Sequence, residues 1–448
     1  MNMRIVDFHH AFERGERTPL EVLEAVFASI EKDGAPEHVF TALTRERAER
    51  AARASTERWR SNKPLGPLDG VPIVWKDVFD VAGTVTTCGS RVRAQAAPAT
   101  ADAELVRQLE AQGMVSIGKT TLSEFAYSGL GINPYPGTPR NPVDQVVARI
   151  PGGSSSGSAA AVALGWVPCG MGSDTSGSIR VPAAFQALVG FKPSHGRYST
   201  QGMYPLAPSL DTAGPLVREV ADACLLDEML TGQTCEPAGP LSNWRFIVPT
   251  GRALAQASPE VQAVFEDVLA RLSRAGAGIE HREFAPFELT RRIFEEHGTL
   301  VAVEATRVHE ALMASSEFLK VDPRIAARMR RGASLAQADR DIIETRRAPL
   351  AAMAGKDLAE REVLLYPTVS MTAPAMAPLE EDDEWFAQCN LQVLHNTMLG
   401  SYLDMPTLSL PAGPADDGLP VGVSLSAASG RDARLLGLGK AVQELLLR

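Results

Sequence analysis

The chain has 448 residues, a formal net charge of −10 at pH 7, 45% hydrophobic and 22% charged residues, and 5 cysteines. The acidic balance offers no cationic footprint for phosphate backbones or anionic lipid, so neither nucleic acid nor a membrane is an expected partner. Cys88, Cys169, Cys224, Cys235 and Cys389 form no C-x-x-C pair, which argues against a disulfide scaffold and a zinc site.

Length alone suggests about three domains at roughly 150 residues each. The first apolar stretch, near Leu20, is interrupted by Glu21 and Glu24. The longest, Ala159 to Met171, is broken by Gly165, Pro168 and Gly170. Neither is a membrane span or a secretory leader, so a cytoplasmic protein is expected.

In chain order, Thr18-Pro19-Leu20-Glu21 is a capping box with proline at the first helical position, and Leu23, Val26, Phe27 and Ile30 follow at helical spacing. A second helix runs from about Arg45 to Trp59, its arginines and glutamates compensating on a solvated face. From Gly70 onward, short apolar runs alternate with helical periods: Val71–Val74, Met114–Ile117, Leu188–Phe191, Phe246–Val248 and Val363–Tyr366. That alternation predicts an α/β protein with helices covering a sheet. The stretch 259–358 reads as a helical excursion or cover. Strands at Thr407–Leu410 and Val421–Leu425 and a final helix close the chain.

Gly113-Met-Val-Ser-Ile-Gly118-Lys119-Thr120 matches a phosphate-cradling loop letter for letter. The intervening residues of such a loop must present backbone N–H groups, yet here Met114, Val115 and Ile117 are the best strand formers nearby. A strand-to-helix turn is expected instead.

Three segments carry chemistry. Lys76 ends the apolar run of Gly70-Val-Pro-Ile-Val-Trp-Lys76-Asp77. Burial there would lower its pKa toward the range of roughly 7–8 that suits a general base, while a snorkelling surface lysine is the plainer alternative. Pro151-Gly-Gly-Ser154-Ser155-Ser156-Gly157-Ser158 runs into a strong helix former, so it is either a flexible connection or a place where N–H donors meet negative charge. In Gly172-Ser173-Asp174-Thr175-Ser176-Gly177-Ser178-Ile179-Arg180, consecutive amides could form an oxyanion hole beside the Ser178 hydroxyl. None of the 8 histidines stands in a catalytic motif, and His195 reads as a turn residue. No G-x-S-x-G elbow is present either, which leaves lysine as the candidate base.

G-V-P-I-x-x-K-D, P-G-G-S-S-x-G-S and G-S-D-T-x-G-S-I-R-x-P-A occur in this order, with Ser154 and Ser178 standing 24 residues apart. Together they resemble the amidase signature family over most of the chain. The resemblance implies an α/β/α sandwich with a large central mixed sheet, formed as one unit over residues 1–448. It implies Ser178 as nucleophile, Ser154 as bridging serine after a cis Gly153–Ser154 peptide, and Lys76 as base. Thr175, Ser176, Gly177 and Ser178 would supply the oxyanion-hole amides. Ser155 would hydrogen-bond Lys76, Asp174 would hold the nucleophile loop, and Arg180 would be a structural clamp or a carboxylate anchor. Glu124-Phe-Ala126-Tyr127 corresponds to a loop lining the acyl pocket, so Ala126, Tyr127 and Ser154 are expected to meet substrate, with Tyr127 equally readable as a core aromatic. Ser176 stands where relatives usually carry glycine and could narrow the oxyanion pocket.

The implied activity is hydrolysis of a small carboxamide, extending to esters or carbamates, with no cofactor and no metal, and with a homodimer as one assembly the resemblance allows. Two alternatives remain: a glutaminase subunit of a tRNA-dependent amidotransferase, whose members usually carry glutamine where this chain has Val181, and a non-catalytic binding protein on the same scaffold.

Overall fold

The Thr18–Glu21 box closes as the sequence predicts. The Thr18 N–H and hydroxyl donate to the Glu21 carboxylate at 2.8 and 3.0 Å, and the Glu21 N–H donates back to Thr18 Oγ1 at 3.2 Å. The helix it starts, Pro19–Lys32, buries Leu23, Val26, Phe27 and Ile30. A shorter helix, Ile5–Glu13, precedes it and was not expected. The structure, a computed structural model, describes residues 3–32 and 38–447.

Eleven strands form one mixed sheet: β1 (Phe40–Leu43), β2 (Pro72–Lys76), β3 (Val115–Thr120), β4 (Cys169–Asp174), β5 (Val189–Lys192), β6 (Thr212–Val217), β7 (Arg245–Thr250), β8 (Gly278–Glu283), β9 (Glu362–Pro367), β10 (Thr407–Pro414) and β11 (Pro420–Ser426). Their order is β1-β3-β2-β4-β6-β5-β10-β11-β9-β7-β8. β2 runs parallel to both β3 and β4, whereas β4 and β6 are antiparallel. Helices cover the sheet on both faces, giving the α/β/α sandwich. Every residue of β2 is buried, as a strand covered on both faces requires. Among the described residues, no helix is long and apolar enough to cross a membrane.

One element was not expected and one expectation needs correction. The stretch 259–358 is mostly helical but also carries β8, which pairs with β7 at the sheet edge. Its sequence, Gly278-Ile-Glu-His-Arg-Glu, lacks an apolar run because an edge strand is half solvated and favours charge. The phosphate-loop lookalike is no strand-to-helix turn. Gly113 turns the chain out of the helix Glu104–Ala111, and Val115–Thr120 is a fully buried strand. A Cβ at Gly118 would meet the Ala42 carbonyl oxygen at 2.4 Å, so glycine here serves strand pairing.

Lys119 is buried too, with Nζ 2.5 Å from Asp77 Oδ1 and donating to the Val85 carbonyl at 3.0 Å and Thr86 Oγ1 at 2.8 Å. Lys119→Met should therefore cost about 3 kcal/mol in urea denaturation, because it strands a buried carboxylate. A loss below about 0.5 kcal/mol, the level of an ordinary surface substitution, would contradict that role.

Candidate active site

Lys76 leaves the end of β2 into a dry interior, with no measurable exposure. Its Nζ donates to Ser154 Oγ at 2.7 Å and Ser173 Oγ at 2.8 Å, with the Ser173 carbonyl at 3.4 Å. Burial lowers its pKa to about 7, against the opposing pull of Asp174, Asp211 and Cys88. The plain surface-lysine alternative is therefore excluded.

Ser154 follows the cis Gly153–Ser154 peptide. The two preceding glycines are there for space: a Cβ on Gly153 would meet the Gly131 nitrogen at 2.5 Å, and one on Gly152 would meet Phe185 and Pro182 atoms at 2.9 Å. The amides that follow are not an open anion cradle. Ser155 N–H donates to the Ser178 carbonyl and Gly157 N–H to the Thr121 carbonyl, both at 3.1 Å, so the serine loop braces the nucleophile loop. Ser155 also departs from its expected role. Its hydroxyl donates to the Ser173 carbonyl at 3.2 Å, while Ser173 is the residue whose hydroxyl meets Lys76.

Ser178 lies between β4 and the helix Arg180–Phe185, in a loop organised by Asp174. The Asp174 carboxylate accepts from the amides of Gly177 at 2.6 Å and Ile179 at 3.1 Å, and from Arg180 Nε at 3.0 Å and Nη2 at 2.9 Å. Burial pushes this carboxyl up, but Arg180 more than offsets it and holds the group below its ordinary value. Arg180 also donates to the Thr397 carbonyl at 3.0 Å and Ser401 Oγ at 2.7 Å. Its donors are engaged by the fold, which places it as a clamp.

The Gly177 amide, expected in the oxyanion hole, is taken up by Asp174. Among the described residues the amides of Thr175, Ser176 and Ser178 have no acceptor, so of the four expected amides only that of Gly177 is taken up. Gly177 has φ +139° and no room for a Cβ, which would meet Thr397 Oγ1 at 2.2 Å. Ser176 adopts no positive φ, so serine replaces glycine there without backbone strain.

A small pocket brings Ser178, Ser176 and Thr175 together with Ala126 and Tyr127. Phe125 and Ala126 both hold left-handed φ, at 52° and 60°, a cost tolerated where surrounding structure aims a loop. Tyr127 answers both descriptions open to it, lining the pocket while packing in the core. Ser178 Oγ has no hydrogen-bond partner among the described residues and faces this pocket.

Several residues here were not anticipated. Ser173 is a hydroxyl inside a strand otherwise made of glycine and apolar residues before Asp174, which is the one signal that could have found it. Asp211 accepts from Thr175 Oγ1 and from the Leu206 and Ala207 amides, and Thr397 donates to the Ser176 carbonyl. Arg328, Leu206 and Leu394 line the pocket from distant parts of the chain. No histidine joins them: His195 caps an exposed turn against Pro208, and His309 is buried between Phe125 and Tyr204. Among the described residues no three His, Cys, Asp or Glu side chains are grouped to hold a metal ion.

Fold and site thus define a family of hydrolases acting on C–N bonds. The Amidase family model matches residues 21–436, and the chain belongs to the amidase signature family. It is 32% identical to 2-amino-5-chloromuconic acid deaminase of Comamonas testosteroni, over 89% of this chain and 87% of the relative. It is 31% identical to a glutamyl-tRNA(Gln) amidotransferase subunit of Streptomyces avermitilis, over 96% and 92%. A crystal structure described as an amidase superposes with a TM-score of 0.87 at 33% identity, covering 99% of both chains.

The unfolded chain keeps the Lys76 proton up to about pH 10.4, whereas the folded chain releases it near 7. The buried ammonium therefore destabilises the fold most below pH 7, and its cost fades as pH rises toward 10.4. Lys76→Met should raise the melting midpoint more at about pH 6 than at about pH 9. A variant that melts below the native protein at both would contradict desolvation as the dominant cause.

Proposed function

We propose that this protein hydrolyses the C–N bond of a small carboxamide through an acyl ester on Ser178, with Ser154 and Lys76 moving the proton. The observation that carries this reading is the dry Lys76 amine, with its pKa near 7, donating at 2.7 Å to the serine whose neighbour's amide holds the Ser178 carbonyl. In its neutral form Lys76 accepts the Ser154 proton while Ser154 accepts that of Ser178. The Ser178 oxygen then bonds to the substrate carbonyl carbon, and its oxyanion meets the amides of Thr175, Ser176 and Ser178.

As the carbonyl re-forms, the C–N bond breaks and the departing nitrogen takes a proton back through Ser154. Water enters by the same relay in reverse order of roles: its proton passes to Lys76 through Ser154, its oxygen bonds to the acyl carbon, and Ser178 leaves with a proton restored. Esters and carbamates that form the same acyl enzyme fall within this reading.

The amidotransferase-subunit role named for the Streptomyces relative, read here as a glutaminase, is the less supported alternative. Val181 is fully buried in an apolar cluster with Leu130 and Ile150, so the position serves packing here.

Acid-quenched intact mass after mixing with an activated amide or ester should show one acyl group on the peptide containing Ser178, absent in Ser178→Ala, whose turnover should fall at least ~10³-fold. Activity of the native protein should rise with pH through about 7 and level off above it, following loss of the Lys76 proton. Normal turnover by Ser178→Ala, or an acid limb flat to about pH 5, would overturn the assignment.

A further inference from the structure

Arg328 is the one charged side chain lining the nucleophile's pocket among the described residues. It reaches the pocket from the helix Pro323–Ala333, which lies far from Ser178 in sequence. Its Nη1 donates to the Tyr127 carbonyl at 2.6 Å, and its Cζ stands 4.2 Å from the Tyr127 ring centroid. Of the five N–H donors a guanidinium carries, this is the one with a protein acceptor.

The charges around it leave it without a counterion. One turn earlier, Arg324 takes Asp322 at 2.7 Å and has Asp383 at 4.0 Å. Arg331, on the next turn, adds a like charge. Asp383 and Glu384 line a second cavity together with Arg328, and neither forms an ion pair with it. Burial lowers the Arg328 pKa, Tyr127 opposes the shift, and Arg331 adds to it, as expected of a cation held away from water without a partner.

A half-buried guanidinium stacked on an aromatic ring and fixed by one hydrogen bond is pre-organised to receive a planar carboxylate. The pocket is narrow, which favours a short acyl group. We propose that Arg328 determines specificity by binding a substrate carboxylate, so that the preferred substrate is the monoamide of a short dicarboxylic acid, with its amide carbonyl at Ser178 and its free carboxylate on the guanidinium. The inference rests on the hydrolase reading above and names its substrate class. A purely structural Arg328, stapling the helix to the Tyr127 loop, is the competing role.

The test uses the full chain above the Lys76 midpoint and compares ammonia release from succinamate and from 4-oxopentanamide, in which a methyl ketone replaces the carboxylate. The native protein should favour succinamate at least ~10-fold in kcat/KM, and Arg328→Gln should reduce that ratio about 30-fold, mostly through KM, with Arg328→Lys in between. Succinate should inhibit 4-oxopentanamide hydrolysis competitively in the native protein, a readout that does not depend on how well the variants fold.

Hydrolysis of 4-oxopentanamide with no preference for succinamate, or an equal loss on both substrates in Arg328→Gln, would overturn the carboxylate site and leave the hydrolase reading standing. If neither amide turns over, the reaction assignment fails. Calorimetric titration with succinate then decides the site: binding lost in Arg328→Gln supports it, and absent or unchanged binding overturns it.

Discussion

The Lys76 amine is withdrawn from water at the end of a fully buried strand, and that desolvation outweighs three nearby groups that would keep it charged. An amine in water stays protonated at neutral pH and accepts nothing. Under the proposed relay, the same burial that opposes folding leaves the amine vacant enough to take a proton from Ser154. The surrounding construction serves that state. Sheet packing closes β2 on both faces, the Ser154 and Ser173 hydroxyls give Nζ neutral partners, and the nearest carboxylates are engaged elsewhere.

The Asp174–Arg180 pair is the second constraint, and it supports the first. A carboxylate this close to Lys76 would favour the ammonium if it stood alone, so its pairing with Arg180 at 2.9 Å both neutralises it and shapes the loop that presents Ser178. The Gly177 amide is used for the same purpose, whereas the Thr175, Ser176 and Ser178 amides have no acceptor among the described residues. The serine loop completes the brace through Ser155 N–H on the Ser178 carbonyl. Lys76 at the end of β2, Ser154 ahead of the helix Ser156–Ala163 and Ser178 after β4, the proposed base, bridge and nucleophile, are thus held by hydrogen bonds that do not depend on substrate.

What could be read in advance follows the physics of each segment. The five apolar runs from Val71 to Tyr366 are strands because fully covered strands carry continuous hydrophobicity, a signal local to each run. Lys76 and the two small-residue loops stand out by composition, but the roles given to Ser154, Ser178, Asp174 and Arg180 come from the resemblance of those segments to the amidase signature motifs. β8 was hidden because a solvated edge strand looks like any polar stretch. The Lys76 partner was misplaced because which of several hydroxyls reaches Nζ depends on how the chain turns after Gly153: Ser173 makes that contact, while the Ser155 hydroxyl meets the Ser173 carbonyl. Arg328 had no local signature: one arginine on an arginine-rich helix becomes distinct only when the fold lays that helix over Tyr127. Residues that chemistry concentrates in motifs are visible in sequence, and residues that tertiary packing delivers are not.

The central claim is that burial has made Lys76 a neutral amine near physiological pH. It is tested most directly by NMR titration of the protein carrying ¹³C at lysine Cε, with the Lys76 signal assigned by its loss in Lys76→Met. Lys192, also buried and with a pKa lowered to about 8, is assigned in the same way so that the two are not confused. The Lys76 resonance should titrate with a midpoint of about 7. A midpoint near 10.4, the value of a solvated lysine, would contradict the account.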